Sequence, residues 1–188
     1  MSLVSLVNNQ LTDKNTRHSY LDLYETLLYS KKGTAKNVLE AGVHVGGSIK
    51  LWKDYFTQAV VRGVEVNGSE NFIDEVRSND RIVLYTYTDA YDDTFFTNEF
   101  VNKNMKFDFM LDDGPHTLDS QMRFVAMYSQ IMTDDGILIV EDVQDWSWID
   151  KLTSQVPDHL KKYIQTYDLR QMKGRYDDIV FVINKSQG

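Results

Sequence analysis

The stretch Val38-Leu39-Glu40-Ala41-Gly42-Val43-His44-Val45-Gly46-Gly47-Ser48 decides the fold class. It runs from an apolar strand through a glycine-bearing loop into a segment of helical spacing, where Ile49, Trp52 and Phe56 form an apolar stripe. Working outward, strand-length apolar runs recur at 37–42, 59–66, 81–88, 107–113, 136–142, 163–170 and 178–184, rich in β-branched or aromatic residues. Between the fourth and fifth runs, Leu118, Met122, Val125, Ser129 and Met132 share one helical face. That spacing predicts a helix over 118–132, closed by a turn at Asp134-Asp135-Gly136. Strands alternating with helices predict an α/β parallel sheet covered on both faces. The last two runs are separated by the seven residues Gln171 to Asp177, too few for a crossover helix, so they form an antiparallel hairpin. Seven strands result. Upstream, residues 18–31 read as an amphipathic helix able to cover the sheet or a ligand site.

A chain of 188 residues suits one domain, 1–188, with residues 1–34 as a helical lid ahead of the first strand. Composition is globular: 42% apolar and 26% charged. No cysteine is present, which excludes disulfides, thiolate metal sites and thiol nucleophiles. The 20 basic and 28 acidic residues give a net charge of −8, the wrong sign for a nucleic-acid partner. No apolar run approaches the ~18–20 residues of a membrane helix. The first ten residues lack the basic start and apolar length of a signal peptide. The expectation is a cytoplasmic protein that acts on a small molecule, with no nucleic acid or membrane as partner. Its aromatic residues are compatible with a homo-oligomer.

Ligands in such sheets bind at the carboxyl ends of the strands, near the point where strand order reverses. From Gly42 the spacing is G-x-x-x-G-G, neither the G-x-G-x-x-G dinucleotide fingerprint nor a phosphate loop followed by lysine. Glu65 lies 23 residues beyond Gly42, where an acid can accept from both hydroxyls of a ribose. Asp89 ends the third strand run and suits an adenine amino group, with Tyr91 nearby for stacking. Each also has a plainer account: tight strand–helix packing for the glycines, solvated carboxylates for the acids. Together they describe an adenosine pocket.

The fourth run ends Leu111-Asp112-Asp113-Gly114-Pro115-His116 and the fifth ends Val140-Glu141-Asp142. Neighbouring strands lie ~4.8 Å apart, so these four acids converge and repel unless a cation joins them or some are protonated. Oxygen donors without thiolate point to a hard cation, Mg²⁺ first. Asp112 or Asp113 capping the following helix is the plainer account. His116, three residues past Asp113, is placed to remove a hydroxyl proton. Trp146 and Trp148 fit either stacking on an acceptor ring or core packing. Lys161, Lys162, Arg170, Lys173 and Arg175 read as a solvated surface.

These features resemble the class I S-adenosylmethionine-dependent methyltransferases, from about residue 35 to the end of the chain. The resemblance rests on Glu40-x-Gly42-x-x-x-Gly46-Gly47, Glu65, Asp89 and the five-plus-two strand pattern. It implies a Rossmann-like seven-stranded sheet of order 3-2-1-4-5-7-6 with strand 7 antiparallel. It also implies that S-adenosyl-L-methionine is held by Glu40, Gly42, Val43, Gly46, Gly47, Ser48, Glu65, Asp89, Ala90 and Asp112. His44 inside the loop is a departure with no assigned role. The Asp-Asp-Gly-Pro-His and Val-Glu-Asp pair further resembles the metal-dependent sugar O-methyltransferases of macrolide biosynthesis and the related cephalosporin hydroxylase family, where serine stands at Pro115. That resemblance makes Asp113, Glu141 and Asp142 ligands of Mg²⁺ or another hard divalent cation, and His116 the base. Catechol-type methyltransferases use a similar acid arrangement, so the expected acceptor is sugar- or catechol-like. A catalytically silent S-adenosylmethionine-binding assembly partner and a metal-independent methyltransferase are the alternatives. A nicotinamide-dependent reductase fits less well, lacking both the glycine fingerprint and a Tyr-x-x-x-Lys pair.

Overall fold

A computed structural model describes residues 1–187. The seven strands are β1 (Asn37–Ala41), β2 (Val60–Val64), β3 (Ile82–Tyr85), β4 (Phe107–Asp112), β5 (Met132–Val140), β6 (Ile164–Asp168) and β7 (Ile179–Asn184). They form one sheet of order β3-β2-β1-β4-β5-β7-β6. The β3–β2, β2–β1, β1–β4 and β4–β5 pairs are parallel, whereas β7 runs antiparallel to both β5 and β6. Strand order reverses at β1–β4, so the carboxyl ends of β1 and β4 flank the crevice where ligands bind in open α/β sheets.

Two apolar layers hold the sheet between them. On one face lie α1 (Leu3–Leu6), α2 (Leu21–Leu28) and α3 (Gly47–Tyr55), with Leu3, Tyr24 and Trp52 packed against Phe109 and Ile139. The chain then passes through the single-turn helices α4 (Asp74–Arg77) and α5 (Asp93–Phe96). The second layer holds Phe96 of α5, Phe124 and Tyr128 of α6 (Leu118–Tyr128), and Leu152 of α7 (Trp148–Gln155). Strand β7 shows the period-2 alternation of a strand buried on both sides: Val180 and Val182 enter the first layer, Ile179, Phe181 and Ile183 the second. No helix among the described residues is long and apolar enough to cross a membrane.

The helix expected over 118–132 ends at Tyr128 and passes through a 3₁₀ turn at Ser129–Ile131. Met132 already belongs to β5, and its burial serves the sheet rather than a helix. Asp134-Asp135-Gly136 is therefore not a turn between elements. It bulges within β5, where Phe107 pairs with Met132 but Phe109 pairs with Ile137. The segment 18–31 is helical only from Leu21 to Leu28, followed by a 3₁₀ turn at Tyr29–Lys31. The β6–β7 connection holds a single helical turn, α8 (Arg170–Lys173), closed by Gly174 at φ 71°.

Gly42 ties the fold to the crevice. Its φ is +87°, and a Cβ there would fall 2.0 Å from the carbonyl oxygen of Asp113. Left-handed strain and a backbone collision then add. Gly42→Ala is expected to lower stability by on the order of 3 kcal/mol in urea unfolding. Gly33→Ala, whose Cβ meets nothing within 4 Å, should change it by less than about 0.5 kcal/mol.

Candidate active site

Parallel pairing brings Glu40 of β1, Asp112 of β4 and the residues just beyond β4 and β5 to one edge. Leu111 pairs with Glu40 and Asp112 with Val140, so Asp113, Glu141 and Asp142 emerge side by side. Glu40, Asp112 and Glu141 are fully buried or nearly so, Asp142 is 9% exposed, and Asp113 and His116 are half-buried at the mouth. Thr117 and Ser120 form a reciprocal cap on α6, which anchors the turn bearing His116. Gln121 of α6 donates to the carbonyls of Glu141 (3.0 Å) and Asp142 (3.3 Å), fixing the β5 end. His44, His116 and Asp142 all adopt φ near +55°, a conformation costly outside glycine and found at sites where surrounding structure enforces it.

The acids do not meet a void. Lys14, 1% exposed, places its ammonium 2.6 Å from Asp113 Oδ2, in contact with Glu141 Oε1 and 3.7 Å from Glu40 Oε1. Burial works to lower the lysine pKa, but Asp113, Glu141 and Glu40 together hold it well above its ordinary value. Tyr24 donates to Glu141 Oε2 and Tyr20 to Asp142 Oδ1. Burial beside carboxylates pushes both phenols upward, so they remain donors. Glu141 is thereby engaged at both oxygens. Burial, then Asp113, still push its carboxyl well above the usual range, against the pull of Lys14. Burial also raises Asp142, opposed by His116, Tyr20 and His18.

A different trio of side chains converges at the mouth. His116 Nε2 lies 3.6 Å from Asp113 Oδ1 and 3.4 Å from Asp142 Oδ2, and one ligating atom from each residue falls within 4.8 Å of the others. The two carboxylates fit a hard divalent ion, and His116 stands beside them with its Nε2 available to accept a proton. Glu141 lies beside that set with one partner on each oxygen, Lys14 on Oε1 and Tyr24 on Oε2, which leaves a second lone pair on each.

The residues expected to line an adenosine pocket occupy two situations. Glu65 Oε2 accepts from the N–H groups of Val43 (2.9 Å) and His44 (3.0 Å), and Oε1 from the backbone and side chain of Asn67. Burial would raise its carboxyl, yet these donors hold it below the usual range. Glu65 therefore shapes the Gly42–Gly46 loop directly, and a ribose would have to share or displace those donors. Gly46 packs on Val76, while Gly47 lies under the Leu11 carbonyl, which a Cβ would approach to 2.2 Å. Ser48 is buried at the start of α3. Asp89 is exposed and caps the Tyr91 N–H at 2.8 Å, and the Ala90 carbonyl accepts from Tyr128. Asp112 accepts from Tyr91 at Oδ1, but its buried Oδ2 has no partner, and neither does Glu40 Oε1 at hydrogen-bond distance. Burial pushes Glu40 and Asp112 each up to about 7. Orphaned acceptors at the carboxyl edge of β1 and β4 fit a ligand that donates hydrogen bonds or carries positive charge.

Sequence patterning did not single out Lys14, His18, Tyr20 or Tyr24 individually, although the last three lie in or beside the amphipathic segment. The i, i+4 spacing of Tyr20 and Tyr24 was the available signal, since it puts both phenols on one helical face. Trp148 packs against the second apolar layer, whereas Trp146 is 44% exposed. Two basic residues near the hairpin are not simply solvated: Lys173 donates to the Asn15 and His18 carbonyls, and Arg175 pairs with Asp177.

The fold is shared with solved methyltransferases. The MycE methyltransferase from the mycinamycin biosynthetic pathway, solved with Mg and SAH, superposes with a TM-score of 0.74 at 18% identity. That alignment covers 100% of this chain and 56% of MycE; a second MycE structure also contains mycinamycin VI. Among curated proteins, the chain is 28% identical over 133 residues to an 8-demethyl-8-(2-methoxy-alpha-L-rhamnosyl)-tetracenomycin-C 3'-O-methyltransferase of Streptomyces olivaceus. It is 26% identical over 140 residues to L-olivosyl-oleandolide 3-O-methyltransferase of Streptomyces antibioticus. These matches cover 67% and 70% of this chain but only 32% and 34% of the relatives, so the chain spans about a third of their length. No family model matches.

Two outcomes follow from the buried charges. Lys14→Met leaves Asp113 and Glu141 without their ammonium and is expected to cost about 3–5 kcal/mol, measured by urea unfolding without metal. Added Mg²⁺ should recover more stability in this variant than in the wild type. Glu40 holds its proton in the folded state up to about 7, whereas the unfolded chain releases it near 4.5. Its contribution to stability is therefore present below pH 4.5 and lost as pH rises to about 7. Glu40→Gln should flatten the fall in stability across that window.

Proposed function

We propose that this chain is the catalytic domain of an S-adenosylmethionine-dependent O-methyltransferase acting on a hydroxyl of a small, sugar-bearing acceptor with a divalent cation. The observation that carries this reading is the convergence of Asp113, His116 and Asp142 beside the crevice at the β1–β4 reversal. The curated relatives, named for O-methylation of rhamnosyl and olivosyl compounds, support it, as does MycE with Mg and SAH.

When bound, S-adenosylmethionine would supply a sulfonium methyl, its carbon–sulfur bond giving way to the new carbon–oxygen bond with a thioether as leaving group. A divalent cation supplies Lewis acidity that eases deprotonation of the acceptor hydroxyl. Asp113 and Asp142 are the residues that would hold it, with Glu141 in reserve behind Lys14. His116 Nε2, which lies 3.6 Å from Asp113 Oδ1 and 3.4 Å from Asp142 Oδ2, takes the hydroxyl proton. The Gly42–Ser48 loop, Glu65 and Asp89 bind the nucleoside side, and the free oxygens of Glu40 and Asp112 receive donors at the crevice floor. In-line alignment of the acceptor oxygen with the methyl is the main contribution asked of the scaffold.

Calorimetric titration with S-adenosylmethionine and Mg²⁺ tests this, followed by methyl transfer to glycosides with vicinal hydroxyls. The expected result is cofactor binding in wild type, Asp113→Ala and His116→Ala, with Mg²⁺ affinity lost in Asp113→Ala. His116→Ala should lower kcat by about 10²–10⁴-fold. Absence of cofactor binding in the wild type sinks the proposal.

A further inference from the structure

Asp142 faces two clusters. Its Oδ2 looks toward His116, while its Oδ1 lies 3.2 Å from Nδ1 of His18, which is also 2.7 Å from Asp178 Oδ1. One ligating atom each from His18, Asp177 and Asp178 falls within 4.8 Å of the others. All three residues are buried, at 5%, 8% and 0% exposure. Two carboxylate oxygens in this cluster, Asp177 Oδ1 and Asp178 Oδ2, are buried with no hydrogen-bond partner among the described residues.

The charges around the cluster do not balance. Asp142, Asp177 and Asp178 face one guanidinium, Arg175, which contacts Asp177 Oδ2 at 2.8 Å. The Lys173 ammonium is spent on the carbonyls of Asn15 and His18. Tyr20 donates to Asp142 Oδ1, and Asp13 adds a further carboxylate 3.7 Å from His18 Nε2. Asp178 has no cation besides His18 within ion-pair distance among the described residues. A buried carboxylate oxygen with no partner is expensive, and two of them on adjacent residues of one cluster call for a positive partner.

We propose that His18, Asp177 and Asp178, joined by Asp142 Oδ1, form a second divalent-cation site that adjoins the first and shares Asp142 with it. One imidazole nitrogen with carboxylate oxygens selects a Mn²⁺-, Fe²⁺- or Zn²⁺-class ion over Mg²⁺ or Ca²⁺, which prefer all-oxygen shells. An ion there binds the segment ahead of α2 to the β6–β7 connection. It also orients Asp142, which makes His18 and Asp178 positioning residues for the first site. The inference stands on this cluster alone and does not require methyl transfer.

The test is Mn²⁺ titration of the full chain, followed by calorimetry and electron paramagnetic resonance of bound Mn²⁺. Wild type should bind two ions per chain, Asp113→Asn one, and His18→Gln one, with Asp113→Asn/His18→Gln binding none. Because Asp178 is fully buried, Asp178→Asn is used only if circular dichroism shows it folded; His18→Gln carries the test otherwise. Should the wild type bind a single ion, loss in His18→Gln with retention in Asp113→Asn supports the site. The reverse pattern, unchanged stoichiometry in His18→Gln, or no Mn²⁺ binding in the wild type overturns it. Failure of S-adenosylmethionine binding would leave this result untouched, which separates the two proposals.

Discussion

Like charge crowded at the carboxyl edge of a parallel sheet is the constraint on which the rest of this molecule depends. Parallel pairing of β1, β4 and β5 puts Glu40, Asp112, Asp113, Glu141 and Asp142 on the same edge, most of them removed from water. At such separations and in a low-dielectric setting, ionised carboxylates destabilise one another strongly. The chain answers with donors from a single stretch: Lys14, His18, Tyr20 and Tyr24 all point into the acids. Docking of the N-terminal segment and charge balance in the crevice are thus one event.

That coupling links packing to chemistry. The same residues that neutralise Glu141 and Asp142 bury apolar surface through Tyr20, Leu21, Tyr24 and Leu28 against α3 and the sheet. The stacked rings of His18, Tyr20 and Tyr24 form a continuous wall, with centroids 4.9 and 5.7 Å apart. Any cation entering beside Asp113 competes electrostatically with Lys14, so ion occupancy and seating of residues 13–24 are connected through shared carboxylates. The left-handed backbones of His44, His116 and Asp142 show where the scaffold enforces side-chain direction against local preference.

Much of the fold was legible because it rests on local periodicity. Six of the seven apolar runs contain a strand, the fifth (136–142) catches only the later part of β5, and Ile49, Trp52 and Phe56 marked the buried face of α3. The misplacement was at Ser129–Gly136, where apolar spacing compatible with a helix was overridden by pairing of Met132 with Phe107. Helical and strand templates agree over so short a span, and the long-range ladder decides between them. On the site, the clustering of Asp112, Asp113, Glu141 and Asp142 followed from strand ends alone. Lys14 carried no comparable sign, since a lone lysine in a polar segment looks like any solvated one.

The sequence by itself determined the seven strands, the helices that follow β1 and β4, the hairpin at the carboxyl end and the glycine-bearing loop, because these depend on residues near one another along the chain. It also placed His116 beside Asp113, three residues away. Only the tertiary structure decided which cation meets which acid. Lys14 reaches Glu141 across 127 residues and His18 reaches Asp178 across 160. Pairings at that separation are chosen by chain docking and by the free-energy cost of leaving a buried charge alone, neither of which is written in local spacing.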